Sequence, residues 1–177
     1  MRIGLLSDTH SYLDPQLLPL FEECDEVWHA GDVGQVEVIE KLEAFKPLRG
    51  VYGNIDDATV RRIFPLNQTF TLEGVKVCMT HIGGYPGRYT ARVRQWLDEE
   101  RPKLYICGHS HILKVMPDRK RGILHINPGA AGIHGFHKMR TATRFTLAEG
   151  TVKNLEVLEL GLRGAARPTG SAGPVVP

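Results

Sequence analysis

The chain of 177 residues is 42% hydrophobic and 24% charged, which fits one globular core and excludes a predominantly disordered protein. Gly 19 and Pro 11 make it rich in turns, yet below the roughly 25% at which low complexity begins. A net charge of +2 carries no electrostatic footprint for nucleic acid, and apolar runs of about six residues fall far short of the ~18 of a membrane span.

Arg2 to Leu6 is an apolar run of strand type that ends in Ser7-Asp8-Thr9-His10. These polar residues interrupt it too early for the core of a signal peptide, so the expected location is the cytoplasm. Asp14 and Pro15 then signal a helix start, with Leu17, Leu18 and Phe21 at helical spacing. Val27 to Ala30 repeats the strand pattern before Gly31-Asp32. Val36, Ile39, Leu42 and Phe45 recur every third residue until Pro47 stops the helix. Leu48 to Tyr52 is the next strand and ends in Gly53-Asn54, with Asp57 suited to cap a helix. TFTL and VKVCM flank Glu73-Gly74, which predicts a hairpin over Thr69 to Met79 whose second arm ends at Thr80-His81. Tyr89, Val93, Trp96 and Leu97 predict a helix before Pro102, and Leu104 to Cys107 a strand before Gly108-His109-Ser110-His111.

Two more hairpins are expected, one turning at Arg119 to Gly122 between Leu113–Met116 and Ile123–Ile126. The other turns at Glu149-Gly150 between Thr141–Leu147 and Val152–Leu158. The fold class is therefore α/β, with two mixed sheets packed face to face between helices. Gly161 to Pro177 has neither periodicity nor an aromatic anchor, which predicts a domain over 1–160 and a flexible Gly/Pro-rich tail over 161–177. If that tail is ordered, a contact with another subunit would have to hold it, which leaves a homo-oligomer open.

The chemistry gathers at the strand tips. Carboxylates, imidazoles and amide oxygens that converge from several elements can enclose a cation. Asp8 and His10 stand at the first tip, Asp32 at the second, Asn54 at the third, His81 at the fourth, and His109 with His111 at the fifth. Ligands in open α/β sheets bind beyond the carboxyl ends of the strands. Each motif alone is an ordinary turn sequence; it is their occurrence in order that indicates a metal site. Seven donors suit two ions about 4 Å apart that share a carboxylate, the spacing for in-line displacement at phosphorus.

Asp8-x-His10, Gly31-Asp32-x-x-Gly34, Gly53-Asn54-x-Asp56, His81 and Gly108-His109-x-His111 resemble the five motifs of the calcineurin-like metallophosphoesterase superfamily. With Asn127-Pro128-Gly129 they are similar to its small, single-domain phosphodiesterase branch. The resemblance spans about Met1 to Leu160 and implies a four-layer αββα sandwich with a dinuclear centre. It assigns Asp8, His10, Asp32 and His111 to one ion, and Asp32, Asn54, His81 and His109 to the other. Asp32 is the implied bridge, and Asp32, Asn54 and His109 are the candidate catalytic residues.

The implied reaction is hydrolysis of a small or activated phosphodiester by a hydroxide that bridges the metals. The implied cofactors are two divalent ions, Mn first, with Fe, Zn, Co or Ni also suited to oxygen and nitrogen donors. Ile55 stands where many members of the superfamily carry a histidine, which leaves no proton donor for the leaving group. The rival reading is a protein-interaction scaffold, because the retromer small subunit shares this fold and has lost part of the ligand set. A nuclease is disfavoured by the near-neutral charge.

Other residues carry smaller expectations. His29 suits a supporting hydrogen bond, and His125 a sheet face turned away from the metals. Asp56 could orient the ligand loops, while His134 and His137 lie in a loop that could fold over the site or face solvent. Arg88 could reach a substrate phosphate, and Arg119-Lys120-Arg121 reads as a solvated turn. Cys24, Cys78 and Cys107 fit neither a disulfide framework nor a thiolate zinc site, and Cys78 and Cys107 read as small buried hydrophobes.

Overall fold

The computed structural model describes residues 1–165. Along the chain follow β1 (Arg2–Leu6), α1 (Leu17–Leu20), β2 (Glu26–His29), α2 (Val36–Phe45), β3 (Leu48–Gly50), α3 (Ala58–Ile63), β4 (Asn67–Leu72) and β5 (Val75–Thr80). Then come α4 (Ala91–Glu100), β6 (Leu104–Ile106), β7 (Leu113–Asp118), β8 (Ile123–Pro128), β9 (Met139–Ala148) and β10 (Thr151–Leu162). The strands form two sheets, in the orders β10-β9-β1-β2-β3 and β4-β5-β6-β8-β7. Both are mixed: β1, β2 and β3 run parallel, as do β5, β6 and β8, while the hairpins add antiparallel edges.

Side-chain alternation explains the layering. Ile3 and Leu5 of β1 point into an apolar cluster with Trp28 and Phe145 of their own sheet and Val77, Met79, Ile106 and Ile126 of the other. Leu6 points the opposite way, into a cluster with Leu17, Ile39, Leu42 and Val60 from the helical side. On the far face of the second sheet, Cys78, Tyr105 and Cys107 pack against Val93 and Leu97 of α4. The result is the expected αββα order, with both cysteines in apolar burial.

Several boundaries differ from the sequence reading for identifiable reasons. The carboxylate of Asp14 accepts the N–H of Gln16 at 2.8 Å, an Asx turn that delays α1 to Leu17. Thr90 caps α4 through the N–H of Val93, so Tyr89 lies outside the helix. Pro117 falls within β7, where it is tolerated because β7 is an edge strand. β2 and β3 stop at His29 and Gly50, short of the Ala30 and Tyr52 expected. β10 continues to Leu162, into the stretch read as tail, while residues 166–177 of that stretch lie outside the described residues.

No described helix is long and apolar enough to cross a membrane. The fold's contribution to function is spatial. The carboxyl ends of β1, β2 and β3 in one sheet, and of β5 and β6 in the other, meet along one edge of the sandwich. Gly108 donates to the carbonyl of His81 at 3.0 Å, and the N–H of His109 reaches the carboxylate of Asp8 at 3.2 Å.

Candidate metal centre

The donor residues sit on unusual backbone. Asp8, His10, Asp32, His109 and His111 all have left-handed φ, between 46° and 67°. Asp and His tolerate that region better than bulkier residues, and such strain collects where surrounding structure holds it. Here the holding contacts are explicit. Asp8 and His10 donate backbone N–H bonds to Gly31 and Asp32 at 2.9 and 3.0 Å, zipping the loops after β1 and β2. The buried carboxylate of Asp56 accepts from Gly34 at 2.8 Å and Gly53 at 2.7 Å, tying the loop after β2 to the one after β3. The amide of Asn127 donates to the carbonyl of Gly108 at 2.8 Å and the hydroxyl of Ser110 at 3.1 Å, pinning the loop that carries His109 and His111.

Two motif glycines are required by close approach. A Cβ on Gly31 would lie 2.7 Å from the ring of His81, and one on Gly53 would collide with the carboxylate of Asp32.

The donor atoms converge. One ligand atom each from Asp8, His10, Asp32 and His111 lie within 4.8 Å of one another, as do those of Asp32, His81 and His109. Asp32 belongs to both groups: its Oδ2 is 3.6 Å from His10 Nε2 and its Oδ1 is 3.2 Å from His81 Nε2. Asp8 Oδ1 is 3.2 Å from His111 Nε2. Asp8 Oδ1 and His81 Nε2 are buried with no hydrogen-bond partner among the described residues. Buried polar atoms left without partners cost free energy, and a divalent cation among these oxygen and nitrogen donors would satisfy both. The residues present therefore fit such an ion.

Hydrogen bonds at the far nitrogens set which face of each ring is free. His81 donates from Nδ1 to the carbonyl of Ala30 at 2.8 Å, leaving Nε2 to face Asp32 and Asp8. His137 donates from Nε2 to the carbonyl of Gly132 at 3.0 Å, so its Nδ1 can accept from His111 Nδ1 at 3.3 Å and free His111 Nε2 for the centre. Such outer partners orient metal-binding imidazoles.

Electrostatics follow from the same contacts. Burial opposes charge on His81, but the adjacent carboxylates of Asp32 and Asp8 outweigh this and raise its pKa. Burial likewise opposes ionisation of Asp32, yet the imidazole of His81 close beside it and the N–H of Ile55 hold its pKa below the ordinary carboxylate value. His10 is lowered by burial, which the two carboxylates only partly offset.

Asn54 is exposed and shares a cleft wall with His81, next to Ile55, whose N–H donates to Asp32 at 3.1 Å. His29 accepts from Gly31 at 3.1 Å and meets the hydroxyl of Thr9 at 3.0 Å, a supporting role; burial takes its pKa down to about 4. His125 stacks on Tyr105 on the sheet face turned toward α4.

Asp57 caps α3 through Thr59 and Val60, as its position suggested. Arg88 lines none of the clefts around the centre, whereas Arg61, and Arg92, which the sequence marks only as the start of a helix, line the one beside Asn54 and His81. Their signal was weak, because each is one charge among several on a short helix. Arg121 is not simply solvated: it pairs with Asp98 at 2.7 Å and docks α4. His134 is exposed, its ring centroid 6.0 Å from that of His10.

Comparison with known proteins bears on the fold and the family. A probable metallophosphoesterase of Methanothermobacter thermautotrophicus is 28% identical over 137 residues, covering 73% of this chain and 77% of that protein. Among solved structures, Vps29 from Entamoeba histolytica superposes with a TM-score of 0.70 at 16% identity, over 91% of this chain and 100% of that one. A zinc complex of Entamoeba Vps29 superposes at 0.65 and 18% identity, over 90% and 99%. At such identities the Vps29 likeness concerns the fold. Residues 1–150 match the calcineurin-like phosphoesterase superfamily domain, and the chain belongs to that superfamily.

Proposed function

We propose that the protein is a metal-dependent phosphodiesterase acting on small or activated phosphodiesters, with two divalent ions at the strand tips. Asp8, His10, Asp32 and His111 would hold one ion, and Asp32, Asn54, His81 and His109 the other. The observation that carries this reading is Asp32, which turns one carboxylate oxygen toward each group of donors. Bound ions would polarise phosphoryl oxygens and supply activated water at neutral pH. The chain's part is to hold the lone pairs of His81 and His111 in place and to keep the loops rigid through Asp56 and Asn127.

Ile55 offers no proton to a leaving group, so rate is expected to rise steeply as leaving-group pKa falls. A flat dependence across an ester series would contradict this. Donors without thiolate suit Mn, Fe, Zn, Co or Ni, and the zinc carried by Entamoeba Vps29 supports an ion of that borderline class. The presence of all seven donor residues in the sequence supports this reading over that of a binding scaffold on the same fold.

Chelator-stripped protein should regain hydrolysis of a bis-aryl phosphate when Mn²⁺ is added, prefer it to the mono-aryl ester, and lose turnover in Asp32→Asn. Metal binding without turnover by any divalent ion would favour the scaffold. Because the carboxylates raise the pKa of His81, its proton should compete with metal from somewhat above the usual histidine value of about 6.5 and more strongly below it. Unchanged metal occupancy at about pH 5 would count against imidazole ligation.

A further inference from the structure

Beside Asn54 and His81 opens a cleft of about 400 Å³, enough for a ring-sized organic group. Tyr52, Leu66 and Ile82 give it apolar walls, and Arg61 and Arg92 line it as well. Both guanidiniums are anchored, and only by neutral acceptors. Arg92 donates to Asn67 Oδ1 at 2.7 Å, Thr80 Oγ1 at 3.1 Å and the carbonyl of Ile82 at 3.0 Å. Arg61 donates to the carbonyl of Asp56 at 2.7 Å and lies over the ring of Tyr52 at 4.9 Å.

Among the described residues neither meets a carboxylate, whereas Arg2, Arg49, Arg121, Arg140 and Arg144 all do; Arg62, Arg88, Arg94, Arg101, Arg119 and Arg163 lack one too, but none of these lines the cleft. Ordering a long cationic side chain costs conformational entropy, which a merely solvated arginine avoids. Each guanidinium also keeps N–H donors free, since arginine has five and these contacts use fewer. Two fixed positive charges without counter-charge, next to apolar walls, describe a receptor for an anion on an organic stem.

We infer that this cleft is a second anion subsite, which takes the organic arm of the substrate together with a further phosphate or carboxylate carried on that arm. The inference rests on the phosphoesterase reading, because it treats Asn54 and His81 as facing the phosphoryl group to be cleaved. The preferred substrates are then phosphoesters with a second negative charge about one ring away from the scissile phosphorus.

Phosphonates test this without turnover, because their C–P bond is not hydrolysed. Calorimetry on the manganese-loaded protein would compare 4-(phosphonomethyl)benzoate, its neutral methyl ester and 1,4-bis(phosphonomethyl)benzene. The carboxylate or the second phosphonate should tighten binding at least tenfold over the methyl ester, and whichever gains more identifies the favoured anion. In Arg92→Gln and in Arg61→Gln that advantage should fall to threefold or less. Equal affinity for all three probes, failure of all three to bind, or an advantage that survives in both variants would overturn the subsite. Hydrolysis of bis-aryl phosphate, measured separately, judges the phosphoesterase reading.

Discussion

A histidine is a good metal ligand only when its second nitrogen is held, since otherwise the ring rotates and the lone pair wanders. His111 is held by His137, which is itself held by the carbonyl of Gly132. Removing the middle member, as in His137→Ala, should weaken metal binding about 10- to 100-fold, the usual effect of losing an outer partner. His137 is only partly buried, so the fold should survive. A metal titration with a folded-state control by circular dichroism checks this, and unchanged affinity would show that the pairing does not orient His111. The convergence of Asp8, His10, Asp32, His81, His109 and His111 was legible in the sequence because each lies at or just beyond the end of an apolar run. His137 was legible only as a loop residue. Its contact depends on how the loop from Gly132 returns over a strand end 26 residues away, and no local periodicity encodes that return.

Elements were legible where burial is two-sided or the period is clear, as in β1, β5, α2 and the Glu149-Gly150 hairpin. Less legible was what ties them together. α1 is only four residues long, contains Pro19, and would not persist alone. It is positioned instead by Asp14, just ahead of it, which pairs with Arg140 of β9, while Arg140 also donates to the carbonyl of Leu160 in β10. Both charged side chains are almost wholly buried. Asp14 looked like a helix cap from sequence, since a partner 126 residues away leaves no local trace. Asp14→Ala would leave the guanidinium buried without its counter-charge, an arrangement that costs about 3–5 kcal/mol. Urea unfolding should register that loss. The double change Asp14→Leu with Arg140→Met should recover most of it, and a double variant as unstable as the single one would show that the ion pair is not the cause.

At the scale of the whole molecule, the layers bury titratable groups beyond those of the candidate metal centre, His125 between the second sheet and α4 among them, and this shapes the response to pH. His125 is buried against Tyr105; burial and, secondarily, the charge of Lys114 push its pKa down to about 4. In the unfolded chain the same group titrates near its ordinary value of about 6.5. Between those values the unfolded state binds more protons than the folded one, so stability rises with pH in that window. The contribution of His125 is fully present above about pH 6.5 and is lost as pH falls toward about 4. Going from about pH 7.5 to about pH 5, linkage assigns it a loss of about 2 kcal/mol. His29, also lowered to about 4, contributes with the same sign. Replacing His125 with Phe keeps an aromatic ring against Tyr105 and removes the proton, and with it a buried Nδ1 that has no partner. His125→Phe should therefore lose less stability than the parent over this range, by about 2 kcal/mol in urea titrations of metal-free protein at the two pH values. Parallel losses in both proteins would mean that His125 titrates normally in the folded state, and that water reaches it through the cleft it shares with Asn127 and Lys114.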